Sequence, residues 1–231
     1  MVRPLKHLKI QNLQEVIKET AWQQIAQLGA PALSLRAIAR TLQITAPAIY
    51  NYFPHRDALV TALIIDAYTS FGDSQIAARD AQPPHNLTAR LTATGMAYRA
   101  WALSHPHHYQ LIFGTPIPGY QPPAEQILPA GTRSLSALAS IIQQAHSQGR
   151  LISAGIPAIQ PHFQPLQQYW LGQLGISNPN VLTIAMLIWA RVHGLVSLEI
   201  SGALPCFGED GSALYQLELT TIHNQFITEQ A

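Results

Sequence analysis

Residues 33–59 read LSLRAIARTLQITAPAIYNYFPHRDAL, and this stretch decides the fold. Ser34 stands where an N-cap belongs, its hydroxyl able to accept from a free N–H in the first turn of a helix beginning at Leu35. Leu35, Ile38, Ala39 and Leu42 fall at i, i+3, i+4 and i+7, one apolar stripe with Arg36, Ala37, Arg40 and Thr41 outside it. So short a helix is unstable alone and must pack on a partner. Ile44 supplies a corner and Thr45 a second cap. Ala46 to Tyr52 then forms a second helix, in which Pro47 is tolerated because first-turn N–H groups lack an intrahelical partner.

At a rotation of about 100° per residue, Ala48, Ile49, Tyr52 and Phe53 face inward, and Ala46, Pro47, Tyr50 and Asn51 face outward. The outer set puts two small residues at the N-terminal end and two polar side chains behind them, so this end can approach a surface closely. A helix of this length spans about 10 Å, comparable with the ~12 Å width of a major groove. A further helix starts at His55 after Pro54, and its positive end together with Arg56 suits a phosphate oxygen.

The string resembles the N-terminal DNA-binding domain of the TetR (tetracycline repressor) family. It carries Ser34, Arg36, Ile38, Ala39, Leu42, Ile44, Thr45, Ile49, Tyr50, Tyr52, Phe53, Arg56 and Leu59 where that family has a capped helix with Ile-Ala, a turn, Ser/Thr, Tyr-x-x-Phe and a basic residue before x-Leu. It departs from the family in Tyr52 for a common His, in Arg56 for a common Lys, and in Gln43 where Gly is usual. Either the turn is held without a positive φ or Gln43 bears strain.

The charge of the chain is unevenly placed. Residues 1–60 hold seven basic and three acidic residues, a net +4, whereas the remainder holds six basic and nine acidic, a net −3. A basic unit on an acidic body suits a protein that offers one end to a polyanion. Composition, 48% hydrophobic and 11% charged, is that of helices buried against one another or against a second subunit. The single Cys206 excludes an internal disulfide and a multi-cysteine zinc site, which fits a reducing cytoplasm. The N-terminus lacks the apolar core of a signal peptide, and the most apolar window, Val181 to Ile200, contains Arg191 and Glu199, which favours a buried helix over a membrane span.

The periodicity predicts an all-α chain: a basic arm over residues 1–8, a helix from Ile10 to Leu28 ended by Gly29, the two short helices, and a long helix from His55 to about Ala78. Further helices are expected over Asn86–Ser104, a short one ending at Phe113, then Pro129–Ser147, Pro157–Leu174, Pro179–Ser201 and Ser212–Glu229, with Gly149 and Gly175 closing two of them. A domain boundary near residue 62 divides a DNA-binding domain, 1–62, from a regulatory domain, 63–231. His105, His107 and His108 surround Pro106 with spacing unsuited to metal ligation, so capping and turn hydrogen bonds are the expected role. The loop GTPIPGY lacks the lysine of a phosphate-binding loop, and no cofactor is expected.

Trp189, His193 and Gly194 form a Trp-x-x-x-His-Gly string whose Trp and His share a helix face. Core packing around a hydrogen-bonded histidine accounts for it. With HPHHYQLIFGTPIPGY upstream it also resembles the C-terminal domain of the TetR subgroup named for that motif.

The resemblances imply a three-helix DNA-binding domain followed by a helical-bundle domain for ligand binding and dimerisation. They imply a homodimeric, ligand-responsive regulator, most often a repressor, on a near-palindromic double-stranded operator. Ala46, Pro47 and Ala48 would touch thymine methyls or simply allow close approach; Thr45, Tyr50, Asn51 and Tyr52 would supply base and phosphate hydrogen bonds; Arg36 and Arg56 would reach phosphates or a guanine edge. Helices 179–201 and 212–229 would form the dimer interface. A pocket lined by Tyr98, Trp101, Tyr109, Phe113, Tyr120, Trp170, Trp189 and His193 would take an apolar or aromatic effector. Two rival readings are a DNA-binding protein with a fully packed core and no effector, and an enzyme using His193 with Glu199; these two lie six apart and point in different directions.

Overall fold

The structure is a computed structural model that describes residues 12–157, 164–204 and 211–228. Helix α1 (Leu13–Leu28) buries Ile17, Ala21 and Ile25 at four-residue intervals. The basic arm at residues 1–8 and the expected start at Ile10 lie outside the described residues. Gly29, at φ +80°, ends α1 with its N–H donated to Ile25 O at 2.8 Å, and a 3₁₀ turn, Ala30–Ala32, follows.

Helix α2 (Leu35–Thr41) is capped as the sequence predicts: Ser34 Oγ accepts from the Ala37 N–H at 3.4 Å. The Ser34 N–H donates to Gln24 Oε1 at 2.8 Å, which sets α2 against α1. The helix closes with two paired bonds, Gln43 N–H to Arg40 O at 3.1 Å and Ile44 N–H to Ala39 O at 3.0 Å. That closure needs a left-handed residue at position 43, and Gln43 takes it with φ +54°. Gln43 therefore bears the strain, which for a residue with a Cβ is about 1 kcal/mol. Gln43→Gly is expected to raise unfolding free energy by up to about 1 kcal/mol, reduced by the extra entropy of glycine in the unfolded chain. A urea midpoint at or below that of the unmodified protein would contradict this.

Helix α3 (Ala46–Tyr50) is five residues long, with Thr45 Oγ1 accepting from the Ala48 N–H. It is shorter than the helix to Tyr52 expected from the pattern. Helix α4 (Arg56–Asp80) begins where His55 Nδ1 accepts from the Ala58 N–H at 3.1 Å. Its 25 residues run through both hydrophobic cores. Leu59, Leu63 and Ile64 complete the first core with Ile17, Ile38 and Ile49. Ala67 and Phe71 enter the second. At Gly72 the helix crosses so closely that an added Cβ would lie 3.1 Å from the backbone of Arg133 and Ser134.

The second unit consists of α5 (Leu87–Ser104), α6 (Pro106–Phe113), α7 (Ala124–Ser147), α8 (Gln164–Leu174), α9 (Pro179–Ile200) and α10 (Ser212–Phe226). Helix α7 starts five residues before the expected Pro129, which its upstream turn accommodates inside the helix. The expected start of α8 at Pro157 is replaced by Gln164, residues 158–163 lying outside the description. Gly149 and Gly175 close α7 and α8 at positive φ, as expected. Helix α9 is long and apolar enough to cross a bilayer, but Val181, Ile184, Ile188, Val192 and Val196 are buried in the bundle. Helix α10 ends at Phe226, and Ile227 then bridges Leu151 antiparallel, with Ile152 N–H donated to Phe226 O and Thr228 N–H to Arg150 O, both at 2.9 Å.

Candidate nucleic-acid interface and effector cavity

The outer surface of α2 and α3 carries a set of side chains the core does not use. Arg36, Thr45, Ala46, Pro47 and Asn51 are exposed and Ala48 is half-buried. Ile49 (0% exposed) and Phe53 (4%) point into the core as expected. Tyr52 does not: it is 45% exposed, beside Tyr50 at 39%. The helical rotation that placed it inward stops at Tyr50, and the turn that follows brings Tyr52 to the surface. Both tyrosines are thus available to a nucleic acid.

Arg56 departs from the expected phosphate-facing role. Its Nη2 donates to Ala30 O at 3.2 Å and Pro31 O at 3.1 Å, and its guanidinium lies 3.6 Å from Asp57. It ties the turn after α1 to the start of α4. A carbonyl pair 26 and 25 residues upstream leaves no local trace in sequence. The residue that sequence reading passed over is Arg40, exposed on α2 with no ion pair among the described residues. Its signal was only its place outside the apolar stripe.

In the second unit, Tyr98, Tyr109, Phe113, Trp189 and His193 converge. Tyr109 Oη lies 2.7 Å from His193 Nδ1, with Tyr98 Oη 3.1 Å from the same nitrogen and 3.3 Å from Tyr109 Oη. Ser197 Oγ stands 3.2 Å from Tyr109 Oη and 3.4 Å from His193 Nε2. A neutral His193 protonated on Nε2 accepts from a tyrosine hydroxyl and donates toward Ser197. Burial favours that neutral form by lowering the pKa of His193, and burial likewise raises the pKa of Tyr98 and Tyr109. Trp189 stacks on the imidazole at 5.0 Å and Phe113 meets it edge-on at 5.0 Å. Glu199, the partner an enzymatic use of His193 would need, is held by Arg99.

Next to this cluster is a cavity of about 300 Å³ walled by Tyr68, Phe113, Leu135, Trp170, Met186 and Trp189. A larger cleft of about 700 Å³ lies between the two units, against Ile25 and Pro31 on one side and Tyr109, Phe113, Ile117 and Ser197 on the other. Four expected pocket residues line neither. Tyr98 is buried, with its ring edge-on to Phe71 at 4.8 Å. Trp101 is packed on Phe71 with its indole N–H donated to Ser70 Oγ at 3.0 Å. Tyr120 is hydrogen-bonded to Thr61 at 2.9 Å beside the first core. His193 stands behind Tyr109 and Trp189. His105 Nδ1 is within 3.0 Å of Trp101 O and 2.8 Å of Ser104 Oγ, while His108 stacks on Trp22 of α1 at 3.6 Å.

The pattern described as "Bacterial regulatory proteins, tetR family" matches residues 17–63, and "Tetracyclin repressor-like, C-terminal domain" matches residues 91–222. The chain belongs to the TetR family. Its helix-turn-helix is accordingly the DNA-binding element of a transcriptional regulator. Among its relatives, the HTH-type transcriptional regulator Rv1816 of Mycobacterium tuberculosis is 33% identical over 196 residues, 83% of this chain and 82% of the relative. The crystal structure of regulatory protein SCO4313 is 34% identical and superposes with a TM-score of 0.73 over 91% of this chain and 96% of that one. A Rhodococcus protein of unknown function at 22% identity shares the fold, with a TM-score of 0.74 over 97% of this chain and all of its own. In this TetR-family chain the second pattern spans α5 to α10, the helices that build the polar cluster and the apolar cavity.

Proposed function

We propose that this TetR-family regulator is a cytoplasmic homodimeric repressor that binds a near-palindromic operator and is released by an uncharged apolar or aromatic small molecule. The observation that carries the effector part is the 300 Å³ cavity, whose lining holds no Asp, Glu, Lys or Arg. Isolated charge in such a lining would cost several kcal/mol. The reading assigns the chain to the Trp-x-x-x-His-Gly subgroup on Trp189, His193 and Gly194, and keeps the division of domains at residue 62. The dimer part is supported by apolar surface on α9 and α10, where Leu187 and Leu198 are 45% exposed and Leu217 63%. Two recognition elements related by a two-fold axis would then meet half-sites roughly 34 Å, or a multiple, apart.

The test is anisotropy of a labelled duplex from upstream of the protein's own gene, at two salt concentrations. Nanomolar, salt-sensitive binding is expected, with Tyr50→Ala weakening it by about 1–3 kcal/mol if the ring reads bases. Arg40→Ala is expected to lower the salt slope by about one and to weaken all duplexes alike. Equal, weak binding of wild type and Tyr50→Ala to any duplex would overturn the operator reading.

A further inference from the structure

The two cavities share one lining residue. Phe113, the last residue of α6, is in the wall of both the 300 Å³ cavity and the 700 Å³ cleft. Its ring is held edge-on or tilted by Tyr68, Phe71, Tyr109, Trp189 and the His193 imidazole at 5.0–6.0 Å, by ring contacts alone. It is followed at once by Gly114 and the loop to α7.

The compartments differ in chemistry. The smaller is walled mainly by aromatic rings, aliphatic chains and Met186, with hydroxyls only from Tyr68 and Ser134. The larger is richer in polar groups, with an imidazole from His107, an amide from Gln110 and hydroxyls from Tyr109, Thr115, Ser197 and Ser201. Neither contains an Asp, Glu, Lys or Arg side chain. Taken singly the smaller sits at the bottom of the range for drug-sized sites, ~300–1,000 Å³, and jointly they reach its top.

We propose that Phe113 is a gate between two halves of one effector site, and that the effector is an elongated uncharged amphiphile. Its aromatic or alkyl body lies in the cavity of α7, α8 and α9, and its hydroxyl, carbonyl or amide head lies in the cleft. This rests on the effector reading above and adds to it the shape and class of the ligand. It also says how the ligand is felt. The far wall of the cleft is Ile25, Gly29 and Pro31 of the DNA-binding unit, and Ile117 of the near wall is 8% exposed within that unit's own core. A molecule threaded past Phe113 touches both units at once.

Benzyl alcohol and 6-phenyl-1-hexanol are suitable short and long probes, followed by ¹⁵N NMR of the full chain. The Trp170 and Trp189 indoles report on the cavity, and the Gly29, Ala30 and Ile117 amides report on the cleft. The long probe is expected to move both sets and to bind at least ~10-fold more tightly than the short one, its five extra methylenes setting an upper limit of roughly 10³-fold at ~0.8 kcal/mol each. Phe113→Trp is expected to abolish the cleft shifts while the indole shifts persist; Phe113→Leu, a milder change, is expected to widen the long-to-short affinity ratio. The proposal is overturned if the long probe moves one set only, if Phe113→Trp leaves both sets moving, or if neither probe binds. Anisotropy with the operator duplex separates this from the parent reading. Both sets moving without operator release would refute the effector role but keep the bipartite site, whereas release with one set moving would do the reverse.

Discussion

Glu199→Ala is expected to cost about 1.5–3 kcal/mol of stability, the usual loss when hydrogen bonds to a charged, shielded acceptor are removed. Glu199 Oε2 accepts from Arg99 Nε at 2.8 Å and Oε1 from Arg99 Nη2 at 2.5 Å, with both side chains 11% exposed. Oε1 also accepts the Gly211 N–H at 3.0 Å, at the start of α10, so the carboxylate joins α5, α9 and α10. Truncation removes the Glu199 carboxylate from the Arg99 guanidinium, which lies 6.0 Å from the Tyr215 ring. Urea unfolding at fixed protein concentration should show a fall of midpoint matching the lost free energy. Glu199→Gln keeps an acceptor for Gly211 and should lose less. A loss under about 1 kcal/mol for Glu199→Ala would place the pair in the surface class, where solvent does most of the screening.

Acid should weaken the join between the two units, through His108. Burial, then repulsion from His105 and His107, lowers its pKa from 6.5 to about 4. The folded ring binds a proton less readily than the unfolded one, so the stability it contributes is whole above pH 6.5 and is lost as pH falls toward 4. At 1.36 kcal/mol per unit the loss is at most about 3 kcal/mol, and roughly half of that once solvent screening of a partly exposed ring is allowed for. His193, lowered by burial, acts in the same direction. His108→Phe preserves a flat partner for Trp22 and removes the proton site. Its stability should fall less than that of the wild type, by about 1–2 kcal/mol, between pH 7 and pH 4. Parallel losses in both proteins would remove His108 from the account.

The reading of residues 33–59 carried furthest where information is local. Ser34 and Thr45 cap within three residues of themselves, and the stripe of Leu35, Ile38 and Ala39 buries as spaced, because a cap and a turn of helix are decided by near neighbours. Gln43 showed that a closure favouring glycine is kept even when glycine is absent, because two backbone bonds require it. Arg56 was misplaced because the carbonyls it binds belong to another segment. The pocket was half legible. Periodicity says that Trp101 and Tyr120 are turned away from water, but not whether the apolar neighbour is a cavity, the face of α4 or the other core. Tyr109, Phe113, Trp170 and Trp189 do border cavities, which an aromatic residue on an inward helix face is placed to do.

The short pairing of residues 150–152 with 226–228 has a consequence for how the chain is assembled and handled. It joins segments 76 residues apart in the numbering of Leu151 and Ile227, so it gains nothing until α8, α9 and α10 are in place. Loop closure over such a span is costly in entropy, which makes this tether a late event in folding and an early one to open. Proteolysis near Thr228 should be a sensitive gauge of whether the bundle is fully closed.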